Sequence, residues 1–513
     1  MKQFIFSALM LFVSASALQA QTYAFPFKGE DLAPGVRIST GTHASGIQGQ
    51  GRDIGAKKYL GNSNWTGYVD GNSSNKANDN HVIYGQEFYA MADGEVCGCW
   101  RNAPENPKAH LTERHPDFDK KLIIGGGNHL WIKHADGSYA LYAHAITGSI
   151  PSSICPNNKT IFDKPHSGYY GAPDIATEVL IPEGSRPKVK KGQFLGKVGN
   201  SGASSGPHLH VHIEKNGKSM PMTFERGLSK SRTGDKADIN GGWTRFAGKT
   251  LPEGEILIFP ARTVTSEYSR HGLPDEDFQR MFDHLADSGF EPDWIDGYSV
   301  NGNGFYNMTW SPKEVTWSAF AGLSSAAYQT EFDKAKNAGL APTFVDGYAL
   351  GGSVRYNAIF KKVGGGYIAK HGISAAQHDA TLNDAKNQGL DPVNISVASV
   401  NNQLAYTVLY RSNNIGQWQV KSQVKESDYQ ALFNTNNSNG LMPVYLNGYR
   451  HGSENYLSCV FASKSGTWDA RHAMDINTYQ TEWQNNTSAG FLTKVCAGMD
   501  GNGSHRFAGV WRK

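Results

Sequence analysis

The chain has 513 residues, of which 49 are Lys or Arg and 46 are Asp or Glu, so its net charge of +3 is close to balanced and directs the reading neither toward nucleic acid nor away from it; no nucleic-acid partner is expected. At this length two or more domains are expected. Abundant glycine, tyrosine and asparagine suit an exported, strand- and turn-rich protein.

Met1-Lys2 is a short positive start, followed by an apolar run from Phe4 to about Leu18 and then small residues. That run is too short to span a bilayer, which needs about 20 residues, and has the shape of a secretory signal peptide. Residues 1–20 are read as that signal, with cleavage after Ala17 or Ala20, so the mature protein is expected outside the cytoplasm, extracellular or periplasmic. No cysteine follows the cleavage region as a lipoprotein would require, and no later run is apolar enough for a membrane span.

Strands and turns dominate what comes next. Gly85 to Val96 reads as a strand-turn-strand pair around Ala92-Asp93-Gly94. Gly125-Gly126-Gly127-Asn128-His129 leads into a strand ending at His134, an Asp136-Gly137 hairpin turn, and a second strand through Tyr142-Ala143-His144. Val189 to Gly202, with Lys191-Gly192-Gln193, is Gly-punctuated and strand-like. Pro207-His208-Leu209-His210-Val211-His212 then sets three histidines at alternate positions of an apolar run. On a strand all three leave one face, roughly 7 Å apart, while Leu209, Val211 and Ile213 point into a core. Imidazole is both the commonest metal ligand and a proton carrier near neutral pH, so one ring of such a pair can hold a metal while its neighbour acts as base.

In this order the pieces resemble the core of the lysostaphin-type (β-lytic, LytM-like) zinc metallopeptidases, over roughly residues 38–225. The resemblance implies a mainly antiparallel β catalytic domain, a single Zn2+ per chain and peptide-bond hydrolysis. It makes His210 a zinc ligand, His208 the base facing the catalytic water, and His144 a second catalytic histidine that stabilises the tetrahedral intermediate. The remaining ligands in that family are an early histidine and an aspartate, usually three residues apart. The best candidates here are His43 and Asp53, which resemble a subgroup with a longer interval; Asp70, Asp79 and His81 are rivals in a polar insertion. Two histidines and a carboxylate leave one position of tetrahedral zinc open, the signature of a catalytic site. No nucleophile-elbow serine and no His-Glu-x-x-His helix competes. His129, His134 and His212 are expected as hydrogen-bonded strand residues beside the site, and His110 and His115 as idle loop residues.

Of five cysteines, Cys459 and Cys496 are expected to be able to pair, and Cys97, Cys99 and Cys155 to form one pair with a thiol left over; the connectivity itself is not readable from sequence.

The second half repeats. Gly289 recurs at Gly339, Gly389, Gly440 and Gly490, and Trp310 recurs as Phe360, Tyr410, Phe461 and Trp511, with a period of about fifty residues. Each unit reads as a strand, a helix and two strands. In the first, Phe278, Met281, Phe282 and Leu285 mark the helix between Asp275 and Asp287, which the glycine then stops. Units this small must stack or share sheets to bury their apolar faces. They resemble the bacterial tandem-repeat module found with polyglycine hydrolases, which implies no chemistry of its own; the regular aromatics are read as core.

The chain therefore reads as a multidomain protein: signal peptide 1–20, zinc metallopeptidase domain 21–225, linker or domain extension 226–263 (Trp243 to Pro260 being candidates for the catalytic domain), and a five-repeat α/β array over 264–513. The expected function is a secreted zinc metalloendopeptidase acting on bacterial cell-wall peptidoglycan, by resemblance, with the repeats as accessory binders of cell wall or another surface polymer. A protease acting on proteins, or an inactive surface-binding protein that uses the repeats, are the alternatives.

Overall fold

The computed structural model describes residues 21–43, 46–166 and 175–513; the expected signal peptide and Ala44 lie outside them. The chain divides into two compact units, the first running to Thr263 and the second from Val264 to Lys513. It is multidomain, mainly antiparallel β in the first unit and a repeated α/β arrangement in the second.

The first unit is built on one long antiparallel sheet. Its principal strands are β1 (Val36–Thr42), β2 (Arg52–Gly61), β3 (Gly94–Trp100), β4 (Asn128–Lys133), β5 (Tyr139–Ala145), β6 (Leu209–Lys215), β7 (Leu228–Ser231) and β8 (Ile256–Phe259), lying side by side in the order β7-β8-β1-β2-β6-β5-β4-β3. Alternation sorts the side chains between two buried layers. Leu209, Val211, Ile213, Ile54, Leu130 and Ile132 enter one apolar cluster, whereas Trp131, Leu141 and Ala143 face the other with Trp100 and Phe162. The histidines of β6 share this second face.

The segment after residue 225 supplies β7 and β8, and β8 pairs with β1 at Ile258↔Ile38, so these strands continue the sheet that carries the site. Residues 85–96 hold a strand, a turn and the start of a second strand as read, but the two strands do not pair with each other. Glu87–Tyr89 pairs with Phe194–Lys197, whereas β3 pairs with β4, so the two strands flank a crossing point. Asp93 is tied down there by Lys190 Nζ and the Lys191 backbone N–H, each donating at 2.8 Å. Glycine is required at 94, because a Cβ would sit 2.5 Å from Ile132 Cγ2.

Cys99 and Cys155 form a disulfide, and Cys97 is left as a buried thiol. The expected pairing of Cys459 with Cys496 does not occur, and both are buried free thiols. They belong to different repeats and pack in different apolar clusters.

In the second unit the first repeat consists of β9 (Tyr268–Pro274), α1 (Asp275–Ser288), β10 (Phe290–Val300) and β11 (Asn303–Pro312), with sheet order β9-β11-β10. The other four follow the same plan. Phe278, Phe282 and Leu285 bury the inner face of α1, and Gly289 ends it at φ 105°, a conformation that favours glycine. Trp310 and its equivalents Phe360, Tyr410, Phe461 and Trp511 are at most 1 % exposed, so they are core.

The repeats stack without sharing sheets, and β10 and its equivalents, an edge strand of each sheet, meet in cyclic order, the fifth against the first. Backbone N–H groups staple neighbours together: Gly297 donates to Asp346, Gly347 to Ser396, Val397 to Asn447, and Gly498 back to Asp296, all at 2.8–2.9 Å. The array is therefore a closed ring.

Candidate active site

Three adjacent strands carry the candidate ligands to one level. The register pairs Gly41 with Asp53 between β1 and β2, and His210 with Asp53 between β2 and β6. His43 lies one residue beyond β1, and its backbone N–H donates to Gly51 O at 3.3 Å, so the intervening loop folds the histidine back over Asp53. His43 and Asp53 thus lie at the two ends of the connection between β1 and β2, and the polar insertion with Asp70, Asp79 and His81 comes after it in the chain.

His43, Asp53 and His210 each present a ligand atom within 4.8 Å of the others, and among the described residues they are the one such group of three or more His, Cys, Asp or Glu. His210 Nδ1 lies 2.7 Å from Asp53 Oδ1, and His43 Nε2 lies 3.8 Å from Asp53 Oδ2. The other nitrogen of His210, Nε2, lies 2.7 Å from His212 Nδ1, and His212 Nε2 lies 2.7 Å from Glu214 Oε1.

This chain tests the fit of a metal. Carboxylate, imidazole, imidazole and carboxylate make three short contacts, but two neutral rings carry only two N–H groups. A cation held by Asp53 and His210 Nδ1 replaces the third proton and lets each ring donate along the chain. With His43 the donor set is two nitrogens and one carboxylate, which suits catalytic zinc. The residues fit the metal.

His208 and His144 face the same place. His208 Nδ1–H donates to Gly206 O at 2.8 Å, and its Nε2 lies 3.6 Å from Asp53 Oδ1. His144 Nδ1–H donates to Ser201 O at 2.8 Å, and its ring centroid lies 4.7 Å from that of His208. A carbonyl can only accept, so each hydrogen bond fixes a tautomer with Nε2 as the remaining ring nitrogen. His144 stands at φ 71° in a bulge where β5 has an extra residue opposite β4, and the bulge re-aims its side chain. Burial first, then the nearby rings of His208 and His210, hold His144 well below the ordinary imidazole value. Burial also lowers His210 to about 4, against the opposing hydrogen bond to Asp53. Burial raises Asp53, but the His210 hydrogen bond and the charges of His208, His210 and His43 outweigh it and keep the carboxyl below the usual range.

The five residues line a cleft of about 270 Å³, together with Gly125, Gly126, Ala143, Ala203, Ser205, Leu141, Gln48, Leu111 and Arg114. Sequence reasoning placed Gly125, Gly126 and Ala143 in strand and turn motifs but gave none of these further lining residues a role in the cleft, since small residues carry no chemical signature. The rivals lie elsewhere. Asp70 accepts from Asn72 N and Asn75 Nδ2 within its own turn, Asp79 sits in a short 3-10 turn, and the His81 ring packs on Tyr68. His129 and His134 each donate Nδ1–H to a carbonyl, of Gly127 and Asp93. His115 caps a four-residue helix through Asp117 N, and His110 bonds Thr112 Oγ1.

Comparison with known proteins agrees with this division. Peptidase family M23 matches residues 168–222, which include His208 and His210 but not His43, Asp53 or His144. The polyglycine hydrolase-like structural repeat matches five times, over 265–313, 314–363, 364–413, 415–463 and 465–513. Similar solved structures include the catalytic domain of the antimicrobial peptidase lysostaphin from Staphylococcus simulans, 16 % identical over 36 % of this chain and 86 % of that one, with a TM-score of 0.16. A zinc-containing peptidase from Vibrio cholerae is 15 % identical over 33 % of this chain and 48 % of that one, TM-score 0.15. A mutant catalytic domain of the prophage-encoded M23 protein EnpA from Enterococcus faecalis is 23 % identical over 32 % and 92 %, TM-score 0.12. The chain thus carries a peptidase family M23 segment followed by five polyglycine hydrolase-like repeats.

Proposed function

We propose that this chain is an exported zinc metalloendopeptidase that hydrolyses peptide bonds in bacterial cell-wall peptidoglycan. The observation that carries the reading is the convergence of His43, Asp53 and His210 within ligand reach, in a cleft onto which His208 and His144 also open. His43, Asp53 and His210 would hold the zinc, which when bound would supply a Lewis acid for the scissile carbonyl and lower the pKa of a water to about 7. His208, its Nδ1–H engaged by Gly206 O, takes the proton of the attacking water at Nε2 and returns it to the leaving amine. His144, its Nδ1–H committed to Ser201 O, presents Nε2 as an acceptor to the same water and so helps orient it. The Gly and Ala walls leave room for backbone and small side chains, which suits a glycine- or alanine-containing peptide. The apolar start of the chain supports export.

The test is metal analysis of the purified protein together with digestion of purified peptidoglycan and of an unfolded protein. One zinc per chain and release of peptidoglycan fragments are expected, and Asp53→Ala should lose the metal because its ligand set falls to two. Full zinc in Asp53→Ala with loss in Asp79→Ala would move the ligand into the insertion. Cleavage of protein but not of peptidoglycan would favour the proteolytic alternative.

A further inference from the structure

The face of β6 that carries His208 and His210 continues to His212 and Glu214, and neither is explained by ligand or base chemistry. Both side chains are fully enclosed at 0 % exposure, beneath the layer that contains Trp131 and Leu141. The His212 ring meets Trp131 edge to face at 5.6 Å. Gly51, at the end of the loop that carries His43, lies so close that a Cβ would sit 3.0 Å from His212 Cβ. A carboxylate in such a place is costly unless it accepts a good hydrogen bond, and Glu214 Oε1 lies 2.7 Å from His212 Nε2.

We propose that His212 and Glu214 form a two-step positioning relay that fixes which nitrogen of His210 faces the metal. This rests on the zinc reading above. A carboxylate oxygen accepts, so the 2.7 Å contact of Glu214 Oε1 with His212 Nε2 fixes the proton of His212 on Nε2 and leaves Nδ1 as an acceptor. His212 Nδ1, 2.7 Å from His210 Nε2, then fixes the proton of His210 on Nε2. The lone pair of His210 is thereby left on Nδ1, the nitrogen beside Asp53. Reversing either hydrogen bond would put a proton on the ligand atom. The relay also holds the ring plane, since His210 is pinned at both nitrogens. Neither residue touches substrate; they act through His210.

Because such outer partners typically govern metal affinity by about 10–100-fold, the measurement is zinc affinity of the full chain, by competition with a chromophoric chelator, together with the melting temperature of the metal-free protein. His212→Leu and Glu214→Leu should each weaken zinc binding by about 10–100-fold. The double variant should be little weaker than either single, because linked residues are not additive. His212→Asn retains an acceptor near the position of Nδ1, so it should bind zinc within a few-fold of wild type, and it serves should the leucine variants fail to fold. Unchanged affinity in the leucine variants would overturn the relay, as would His212→Asn binding as weakly as His212→Leu, or losses that multiply in the double variant. Either failure with wild-type zinc intact strikes the relay alone. A wild-type chain that binds no zinc would overturn the site reading and the relay together.

Discussion

Asp346→Asn should remove a pH dependence built into the repeat ring. Asp296 and Asp346 occupy equivalent positions in the first two repeats and are at most 2 % exposed. Each accepts two hydrogen bonds at 2.9 Å, Asp346 from Gly297 N and Asn357 Nδ2, Asp296 from Gly498 N and Asn307 Nδ2. Burial pushes Asp346 up to about 7, and burial followed by the charge of Asp346 pushes Asp296 well above its ordinary value. A raised carboxyl contributes stability that is fully present below its unfolded value of 3.8 and is lost as pH rises through the folded value near 7. A shift of about three units corresponds to at most roughly 4 kcal/mol, or on the order of 10 °C in the melting temperature of a unit this size. The amide cannot ionise, and Asn447, its equivalent in the fourth repeat, already accepts the N–H of Val397 at 2.8 Å. Calorimetry of the chain from Val264 to Lys513 should show the wild type losing stability between pH 4 and pH 8, and Asp346→Asn losing markedly less, so that the variant is the more stable at pH 8. Parallel pH profiles for the two proteins, or a wild type most stable at pH 8, would refute the reasoning.

Two further outcomes follow from the site. His208→Ala should retain zinc but lose roughly 10²–10⁴-fold in kcat, whereas His210→Ala should lose both; metal analysis beside peptide hydrolysis separates them, and the reverse pattern would exchange their roles. A chain ending at Thr263 contains every proposed ligand and base within one compact unit, so it should cleave a short soluble peptide about as fast as the whole protein. On insoluble cell wall it should be slower, because a second attachment raises the local concentration of cleavable bonds; loss of soluble-peptide cleavage with zinc still bound would make the repeats part of the groove.

What could be read from sequence was local, and what could not was set by register and curvature. Alternation along β6 places His208 and His210 on one face without any knowledge of neighbouring strands. The same rule, continued two steps, places His212 and Glu214 on that face, but not their mutual hydrogen bonds. Asp53 meets His210 because β2 and β6 are neighbours in a register that no residue in either strand announces, and the hydrogen bond of His43 N–H to Gly51 O is no more legible in the sequence. Strands of two to four residues such as β7 and β8 are too short for alternation to stand out, which is why their segment reads as a linker. In the second half the fifty-residue period states the number of repeats and the helix within each, since Phe278, Phe282 and Leu285 are spaced for one face. Closure is another matter, because it depends on a small rotation per repeat that accumulates over five. The polar staples do not reveal it either. The position is Asp296, Asp346, Ser396 and Asn447 in four units but Ala497 in the fifth, and alanine has no side-chain acceptor. An open stack would use its staples only between consecutive units, yet Asp296 in the first repeat accepts from Gly498 in the fifth and Trp294 Nε1 donates to Cys496 O, contacts between the first and last units that separate a ring from a stack.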